Sequence, residues 1–242
     1  MSTSYLVTGA NRGIGYEMVK ILAQRPDTII FAGVRNPAKA NALQTLASRN
    51  PNLHVLQLES TSYTDAQSAA NTIRKVSGGL DVVIANAGIA QNFHKVLDVT
   101  PASVAEHFNV NTLGPLVLFQ AVYPLLLERN TRKFITISTI AGAIGEGMIP
   151  IPDVAYGTSK VALNFVTKRI HIEHKDQGII AFPLHPGAVR TDMGLEAADT
   201  FGAEFFDLSP EESARDVLKV VDGATLAESG RFWSYDGSEL AW

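Results

Sequence analysis

The pattern that most constrains this chain is a regular alternation of short apolar runs with amphipathic stretches of helical period. The apolar runs, which predict strands, are Tyr5–Thr8, Thr28–Val34, Leu53–Leu58, Leu80–Ala85, Lys133–Ser138, Ile179–Leu184 and Arg231–Ser234. The helical patterns between them are Gly13–Arg25, Ala38–Ser48, Thr64–Val76, Ala102–Arg129, Val154–Lys175 and Pro210–Asp222. Most of the runs are apolar at successive positions, as in strands covered on both faces. This alternation predicts an α/β fold, a doubly wound parallel sheet of about seven strands with helices on both faces.

Length and composition predict a single domain over residues 1–242 and exclude several classes of function. The chain is 46% hydrophobic and 18% charged, which is enough apolar material for one large core. Its net charge is -4 and its basic residues are scattered, so nucleic acid is not expected as a partner. It has no cysteine, which excludes disulfides, thiolate metal sites and cysteine nucleophiles.

Membrane and metal sites are not expected either. The start, MSTSYLVTGAN, lacks a basic region followed by a long apolar core, and no run approaches the roughly 20 apolar residues of a membrane span. We therefore expect a soluble, cytoplasmic protein. His171 and His174 could share a helix face, but the charged HIEHKDQG stretch around them indicates a solvated helix end, so no metal site is predicted.

A glycine-rich turn follows the first predicted strand. The segment TGANRGIG, Thr8 to Gly15, runs directly into a helical pattern. Glycines there allow a tight turn and a close approach by a pyrophosphate, and the free N–H groups of the helix N-terminus attract its charge. The spacing is one residue wider than the GxGxxG fingerprint, so a purely structural turn remains an alternative. The candidate dinucleotide contacts in this turn are Gly9, Asn11, Arg12, Gly13, Ile14 and Gly15.

The residue about 20 positions beyond such a turn usually selects between NAD and NADP, because an acid there binds the ribose 2′-hydroxyl. Here that position is Arg35, and no acid occurs from Thr28 to Arg35. Arg12 in the glycine turn adds a second positive charge. Both arginines are suited to a 2′-phosphate, which predicts NADP(H) as the cofactor. The alternative is that Arg35 is only a solvated strand end.

The sequence YGTSK places a phenol, Tyr156, four residues before an ammonium, Lys160. Four residues are about one helical turn, so both side chains lie on one helix face. Reduction of a ketone by hydride requires a proton at the oxygen, and a phenol can supply it. A neighbouring ammonium favours the phenolate, so we expect Lys160 to lower the pKa of Tyr156. An ordinary exposed Tyr and Lys on a helix is the competing interpretation of this motif taken alone.

Five motifs occur in the same order as in a known family. They are TGANRGIG, Asn86-Ala87-Gly88, Asn111-Thr112-Leu113-Gly114, YGTSK and Pro186-Gly187. Together they resemble the short-chain dehydrogenase/reductase family over the full chain, which implies a Rossmann-type fold. The opening YLVTGANRGIG and the ending GRFWSYDGSELAW are most similar to fungal ketoreductases related to norsolorinic acid ketoreductase, a subgroup of polyketide pathways.

The resemblance also implies roles for individual residues. Asn86, Ala87 and Gly88 would support the central sheet and the adenosine side of the cofactor, and Glu59 replaces the Asp that the family often has near the adenine. Asn111 would hold a water in a proton relay to Lys160, with Asn109 as a rival for that position. Lys160 would also donate to the nicotinamide ribose. The remaining cofactor contacts would come from Pro186, Gly187, Val189 and Thr191.

The hydroxyl that steadies the substrate carbonyl has two candidates. The family pattern Ser-x-x-Gly is matched by Thr139-Ile140-Ala141-Gly142, with Ser138 just before it. Successive strand residues point to opposite faces, so only one of the two hydroxyls faces the substrate, and the spacing to Gly142 favours Thr139. The segments 142–152 and 192–208 are predicted to be loops that line a substrate pocket.

These observations predict an NADP(H)-dependent carbonyl reductase or alcohol dehydrogenase acting on a small ketone or alcohol, with aromatic and polyketide-derived ketones among the candidate substrates. Tyr156 is its predicted general acid and base, with Asn111, Thr139 and Lys160 completing the catalytic set. An NADP(H)-sensing regulatory protein without turnover is the alternative. By the resemblance, the helices at Ala102–Arg129 and Val154–Lys175 would form the interface of a homodimer or homotetramer.

Overall fold

An eight-stranded sheet forms the centre of the protein. The computed structural model describes residues 2–145, 151–202 and 206–242. The strands are β1 (Thr3–Thr8), β2 (Thr28–Val34), β3 (Leu53–Gln57), β4 (Val82–Ala85), β5 (Lys133–Ile137), β6 (Ile180–His185), β7 (Phe232–Ser234) and β8 (Glu239–Leu240). Their order is β3-β2-β1-β4-β5-β6-β7-β8, and every neighbouring pair is parallel except β7 and β8.

Helices cover both faces of this sheet. They are α1 (Gly13–Ala23), α2 (Asn41–Arg49), α3 (Tyr63–Ser77), α4 (Pro101–Phe108), α5 (Gly114–Leu127), α6 (Val154–His174), α7 (Asp192–Phe201) and α8 (Pro210–Gly223). One apolar cluster packs α1 and α8 on one face, and a second packs α3, α5 and α6 on the other. The predicted doubly wound parallel sheet is therefore confirmed.

The order of the strands reverses next to β1. The chain proceeds outward through β2 and β3 and then returns to place β4 on the other side of β1. In such sheets the connections leave opposite faces at the reversal and open a crevice at the carboxyl ends of the strands. This crevice is bounded by the segments that follow Thr8 and Ala85.

The final strand was not predicted. β8 has only two residues and pairs antiparallel with β7 through Trp233 and Glu239. The turn between them contains Gly237, whose φ of 85° lies in the left-handed region. A two-residue strand carries no hydrophobic period, so the sequence pattern gave no sign of it.

The predicted helical region Ala102–Arg129 is one helical run with a widened turn inside it. α4 passes into π-helical geometry over Asn109–Leu113 before α5 begins at Gly114. Such turns are frequent at functional sites. The run Pro101–Leu127 is apolar enough to span a membrane, but 56% of its apolar window is buried inside the protein, as in a core helix.

Segment 192–208 is not simply the loop that the sequence predicted, because α7 occupies its first half. Thr191 begins this helix by accepting a hydrogen bond from the Gly194 N–H at 3.1 Å, and Asp192 lies in the first turn. A threonine cap and an early acid are ordinary signals of a helix start. The other predicted substrate loop, 142–152, lies partly outside the described residues.

Candidate active site

The main cleft of the described residues lies at the carboxyl ends of β1 and β4, where the strand order reverses. Its volume is about 740 Å³, a size suited to a small-molecule ligand. It is lined by most of the predicted site residues, namely Gly9, Asn11, Arg12, Gly13, Ile14, Gly15, Arg35, Glu59, Asn86, Ala87, Gly88, Tyr156, Lys160, Pro186 and Thr191. The sequence pattern and the fold thus converge on one crevice.

The glycine turn forms one wall of the cleft, and larger side chains would not fit at its glycine positions. Gly9 and Gly13 have φ values of 65° and 55°. A Cβ on Gly15 would stand 2.4 Å from the Gly9 carbonyl oxygen and 2.6 Å from Asn86 Nδ2. The backbone is therefore open at the amino end of α1, where free N–H groups favour an anion. This cradle fits the pyrophosphate of a dinucleotide.

Asn86 and Thr8 hold the glycine turn in place. Asn86 Nδ2 donates to the Thr8 carbonyl at 2.9 Å and to that of Gly9 at 3.4 Å. In return, the Thr8 hydroxyl accepts from the N–H groups of Asn86 at 3.0 Å and Ala87 at 2.9 Å. These bonds fasten the end of β4 to the end of β1. Thr8, which was not predicted as a site residue, is thus an important support of the cleft.

Cationic side chains lie where the adenosine end of a dinucleotide would bind. Arg35 is 83% exposed, and its Nε lies 3.7 Å from Glu59 Oε2. Asn36 and Lys39 line the same part of the cleft, just beyond β2. Neither residue was predicted, although a second cation four residues after Arg35 is visible in the sequence.

Arg12 makes a contact that the sequence did not predict. Its Nη1 forms an ion pair with Asp192 Oδ2 at 2.8 Å. The pair links the glycine turn to the first turn of α7 across the cleft. Both side chains are largely exposed, so the interaction is weak enough for an entering anion to displace it.

Lys160 lies on α6 beneath the cleft, and only 5% of its surface is exposed. Its ammonium donates to the Ile137 carbonyl at the end of β5 at 2.8 Å and lies 5.8 Å from the centre of the Tyr156 ring. Burial disfavours its charged form and lowers the pKa of Lys160 to about 8. The predicted proximity of Lys160 to Tyr156 is therefore present in the structure.

The expected direction of the pKa shift at Tyr156 is wrong for the protein without cofactor. Burial raises the pKa of the phenol, and the Asp153 carboxylate raises it further, whereas a hydrogen bond with Thr139 lowers it. Desolvation of the phenolate outweighs the favourable contact. Lys160 does not reverse this balance, because its ammonium is directed to Ile137 and its own charged form is destabilised by burial.

The two candidate hydroxyls after β5 point to different partners. The Thr139 hydroxyl contacts Tyr156 and accepts from the Ala141 N–H at 3.2 Å. Ser138 instead donates to Asn164 Oδ1 at 2.6 Å and is buried. The geometry thus places Thr139, not Ser138, beside the phenol.

Asn111 is buried in the π-helical turn, whereas its rival Asn109 is exposed. Its side-chain amide donates to the Ile89 carbonyl at 2.8 Å and to Ser159 Oγ at 3.0 Å, and its Oδ1 accepts from the Ile89 N–H at 2.8 Å. These bonds join the segment after β4 to α6 close to Lys160. The side chain of Asn111 is therefore occupied by structural contacts.

The segment after β6 closes the other side of the cleft. Pro186 and Thr191 line it, whereas Gly187 and Val189 lie behind that lining. Gly187 has a φ of 88°, in the left-handed region that favours glycine, and a Cβ there would stand 2.9 Å from Leu208 Cδ2 and 3.0 Å from Tyr235 Cε1. The preceding residue, His185, has a buried Nδ1 without a hydrogen-bond partner among the described residues, and burial lowers its pKa to about 4.

Comparison with known proteins identifies the family. A model of the family described as short chain dehydrogenase matches residues 3–200. The chain belongs to the short-chain dehydrogenase family. It is accordingly an oxidoreductase with a site for a nicotinamide cofactor, in agreement with the glycine turn and the crevice described above.

Relatives and solved structures of short-chain dehydrogenases match over nearly the whole chain. Norsolorinic acid ketoreductase of Aspergillus parasiticus is 37% identical over 99% of this chain and 91% of that protein. The short chain dehydrogenase gsfK of Penicillium aethiopicum is 39% identical over 100% of both. The NADPH-bound carbonyl reductase from chicken fatty liver has a TM-score of 0.91 at 33% identity, with 100% of both chains covered.

Proposed function

We propose that this short-chain dehydrogenase is an NADPH-dependent carbonyl reductase in which Tyr156 delivers the proton to the substrate oxygen. The Tyr156 phenol lines the cleft that holds the glycine turn and is hydrogen-bonded to the Thr139 hydroxyl, and this arrangement carries the proposal. A proton donor and a second hydroxyl side by side can bind one carbonyl oxygen from two directions. A nucleotide sensor would require neither group.

The raised pKa of Tyr156 suits this role in the reductive direction. A phenol that stays protonated at neutral pH is available as a donor when negative charge develops on the carbonyl oxygen. When bound, the nicotinamide supplies the hydride. Thr139 contributes a second hydrogen bond to the developing oxyanion, and such donors typically account for about 10²- to 10³-fold in turnover. Proton donation leaves a phenolate on Tyr156, and the Lys160 ammonium, held by the Ile137 carbonyl 5.8 Å from the centre of the ring, stabilises that negative charge.

The preference for NADPH rests on charge at the adenosine end of the cleft. Arg35 and Lys39 supply two positive charges there, and Glu59 supplies one negative charge. An exposed ion pair such as Arg35 with Glu59 is worth little, so a 2′-phosphate can displace the carboxylate. Asn36 adds amide donors beside them. No acid at the end of β2 is present to bind a free 2′-hydroxyl.

The substrate class is proposed to be an apolar ketone, aromatic or polyketide-derived. Ile144, in the segment after Thr139, and Leu195, on α7, are both large exposed hydrophobic residues on segments that flank the cleft. Exposed apolar side chains beside a cleft favour an apolar ligand. The similarity to norsolorinic acid ketoreductase and to gsfK supports the same class.

A homodimer or homotetramer is proposed as the assembly. Large apolar side chains are exposed on the helical run Pro101–Leu127 at Phe108 and Leu113, and on α6 at Phe165 and Ile172. Burial of these side chains against a second copy would remove them from water. Light scattering at micromolar concentration tests this proposal, and a monomer would contradict it.

Oxidation of NADPH in the presence of a panel of ketones tests the catalytic proposal. We expect turnover that is lost in Tyr156→Phe, while NADPH still binds by fluorescence titration, because the ring is kept and only the transferable proton is removed. Tyr63→Phe is the matched control, since Tyr63 is exposed at the start of α3. Retention of full turnover by Tyr156→Phe would overturn the assignment.

A further inference from the structure

A partly buried carboxyl group, that of Asp153, lies about one helical turn before Tyr156. Asp153 immediately precedes α6, at the position where an aspartate usually caps a helix, but its side chain makes no capping hydrogen bond. Its Oδ2 is buried and has no hydrogen-bond partner among the described residues. An unpartnered buried polar atom is unfavourable for the folded state. Capping therefore does not explain this side chain.

The position of the carboxyl group depends on its neighbour in the helix. A Cβ on Gly157 would stand 2.9 Å from Asp153 Oδ2, so any larger residue at 157 would displace it. The same point lies 3.1 Å from the Ala141 carbonyl, in the turn that follows Thr139. The carboxyl group thus lies beside Gly157, close to the turn that follows Thr139, and three residues before Tyr156 in the chain.

Few other ionisable groups surround Asp153 and Tyr156 on the described elements. On α6 the neighbouring one is Lys160, whose ammonium is held by Ile137. The turn Ile140–Gly142 contributes none. From α4, the ring nitrogens of His107 are bound to Ser103 and Gln91.

On β6, His185 is neutral at neutral pH, because burial lowers its pKa to about 4. Among the described residues, the charge acting on Tyr156 together with burial is therefore that of Asp153.

We propose that Asp153 is a positioning residue that keeps the Tyr156 hydroxyl in its proton-donating form and so sets the pH at which this group changes from donor to acceptor. This inference rests on the proposed function of Tyr156 and extends it. A carboxylate beside a phenol disfavours the phenolate, because two negative charges would then lie close together. Carbonyl reduction consequently persists to higher pH, and alcohol oxidation begins only at higher pH.

Burial raises the pKa of Asp153 to about 6, so its carboxyl group is charged at neutral and alkaline pH, where Tyr156 titrates. Side chains three residues apart on a helix are separated by about 5 to 6 Å, and two unit charges at that distance interact by an amount that corresponds to about 0.5 to 2 pH units between the dielectric of water and that of a protein surface. Removal of the carboxylate should therefore lower the transition pH of Tyr156 by about one pH unit.

The pH dependence of kcat in both directions tests the proposal. For Asp153→Asn we expect the alkaline fall in ketone reduction and the alkaline rise in alcohol oxidation to move together to lower pH by about one unit. Asp176→Asn, which removes an exposed carboxylate just beyond the other end of α6, should leave both profiles in place. A merely structural role of Asp153 would change the height of the profiles and not their position.

A spectroscopic titration provides a readout that does not depend on turnover. Tyrosinate absorbance is measured against pH in the presence of NADP⁺, and the contribution of Tyr156 is obtained by subtracting the Tyr156→Phe protein. The same shift to lower pH is expected in Asp153→Asn, and in Asp153→Ser should the asparagine variant fold poorly. Unchanged titration in a folded variant overturns the proposal. Retained turnover in Tyr156→Phe refutes the catalytic role instead, and the titration still decides the effect of Asp153.

Discussion

Replacement of the two hydroxyl residues after β5 should separate catalysis from stability. Thr139→Ala removes the hydroxyl that contacts Tyr156, and we expect turnover to fall about 10²- to 10³-fold, which corresponds to about 2.7 to 4 kcal/mol in the barrier. Its effect on the free energy of unfolding should be no more than about 1 to 2 kcal/mol, because the hydroxyl loses a long contact with the Ala141 N–H and its hydrogen bond with Tyr156.

Ser138→Ala should give the opposite result. It removes the donor to Asn164 Oδ1 and leaves that buried acceptor unpaired, although Asn164 Nδ2 still donates to the Gly142 carbonyl. Loss of a buried partner costs about 1 to 3 kcal/mol of the free energy of unfolding. Turnover should change by less than about 5-fold, since the activation barrier should change by less than about 1 kcal/mol.

Urea unfolding and NADPH oxidation with one ketone, both at pH 7, compare the two alanine variants directly. Thr139→Ser is the control that restores a hydroxyl at the same position, and it should keep most of the turnover. If Ser138→Ala lost more turnover than Thr139→Ala, with both proteins folded, the contact of Thr139 with Tyr156 would not be the one that acts in catalysis.

Three further predictions concern the cleft. Gly15→Ala should lower the free energy of unfolding by about 2 to 4 kcal/mol and weaken NADPH binding, since its Cβ would overlap the Gly9 carbonyl and displace Asn86. Gly223→Ala, with nothing within 4 Å of the new Cβ, should not be destabilising; equal losses in both would contradict this reasoning. Arg35→Asp should reduce the ratio of NADPH affinity to NADH affinity by at least about 10-fold, and Lys39→Ala should reduce it by a smaller factor. Fluorescence titration measures both affinities, with Lys219→Ala as the control. An unchanged ratio would contradict a 2′-phosphate site. His185 is neutral in the fold and takes up a proton on unfolding below pH about 6.5, so between pH 7 and pH 5 the protein should lose about 2 kcal/mol relative to His185→Gln in urea unfolding.

Much of the fold was predictable because each buried strand and amphipathic helix has its own period in the sequence. The limits of β2 agree with the predicted ones, since an uninterrupted apolar run such as Thr28–Val34 has clear boundaries. α7 was missed because it is short and Gly194 lies in its first turn, which lowers helix propensity. Its threonine cap was the signal available in the sequence.

The parts of the candidate site in which a motif fixes the backbone could be predicted from the sequence. The contacts between side chains of separate elements were less predictable. The glycine turn specifies its own geometry, because only glycine fits at Gly9 and Gly15. The partners of Arg12 and Arg35 are Asp192 and Glu59, which lie 180 and 24 positions away along the chain. Such pairs depend on the packing of separate elements, and no local sequence pattern predicts them.

The pKa of Tyr156 shows why spacing alone cannot give the electrostatics of a site. A separation of one helical turn correctly predicted that Lys160 would lie near the phenol, and Coulomb attraction then favours the phenolate. Burial acts in the opposite sense on both groups, since it raises the pKa of the phenol and lowers that of the ammonium. The ammonium also donates to the Ile137 carbonyl on β5, and the negative charge of Asp153 raises the pKa of the phenol further. The sign of the shift is therefore decided by tertiary packing.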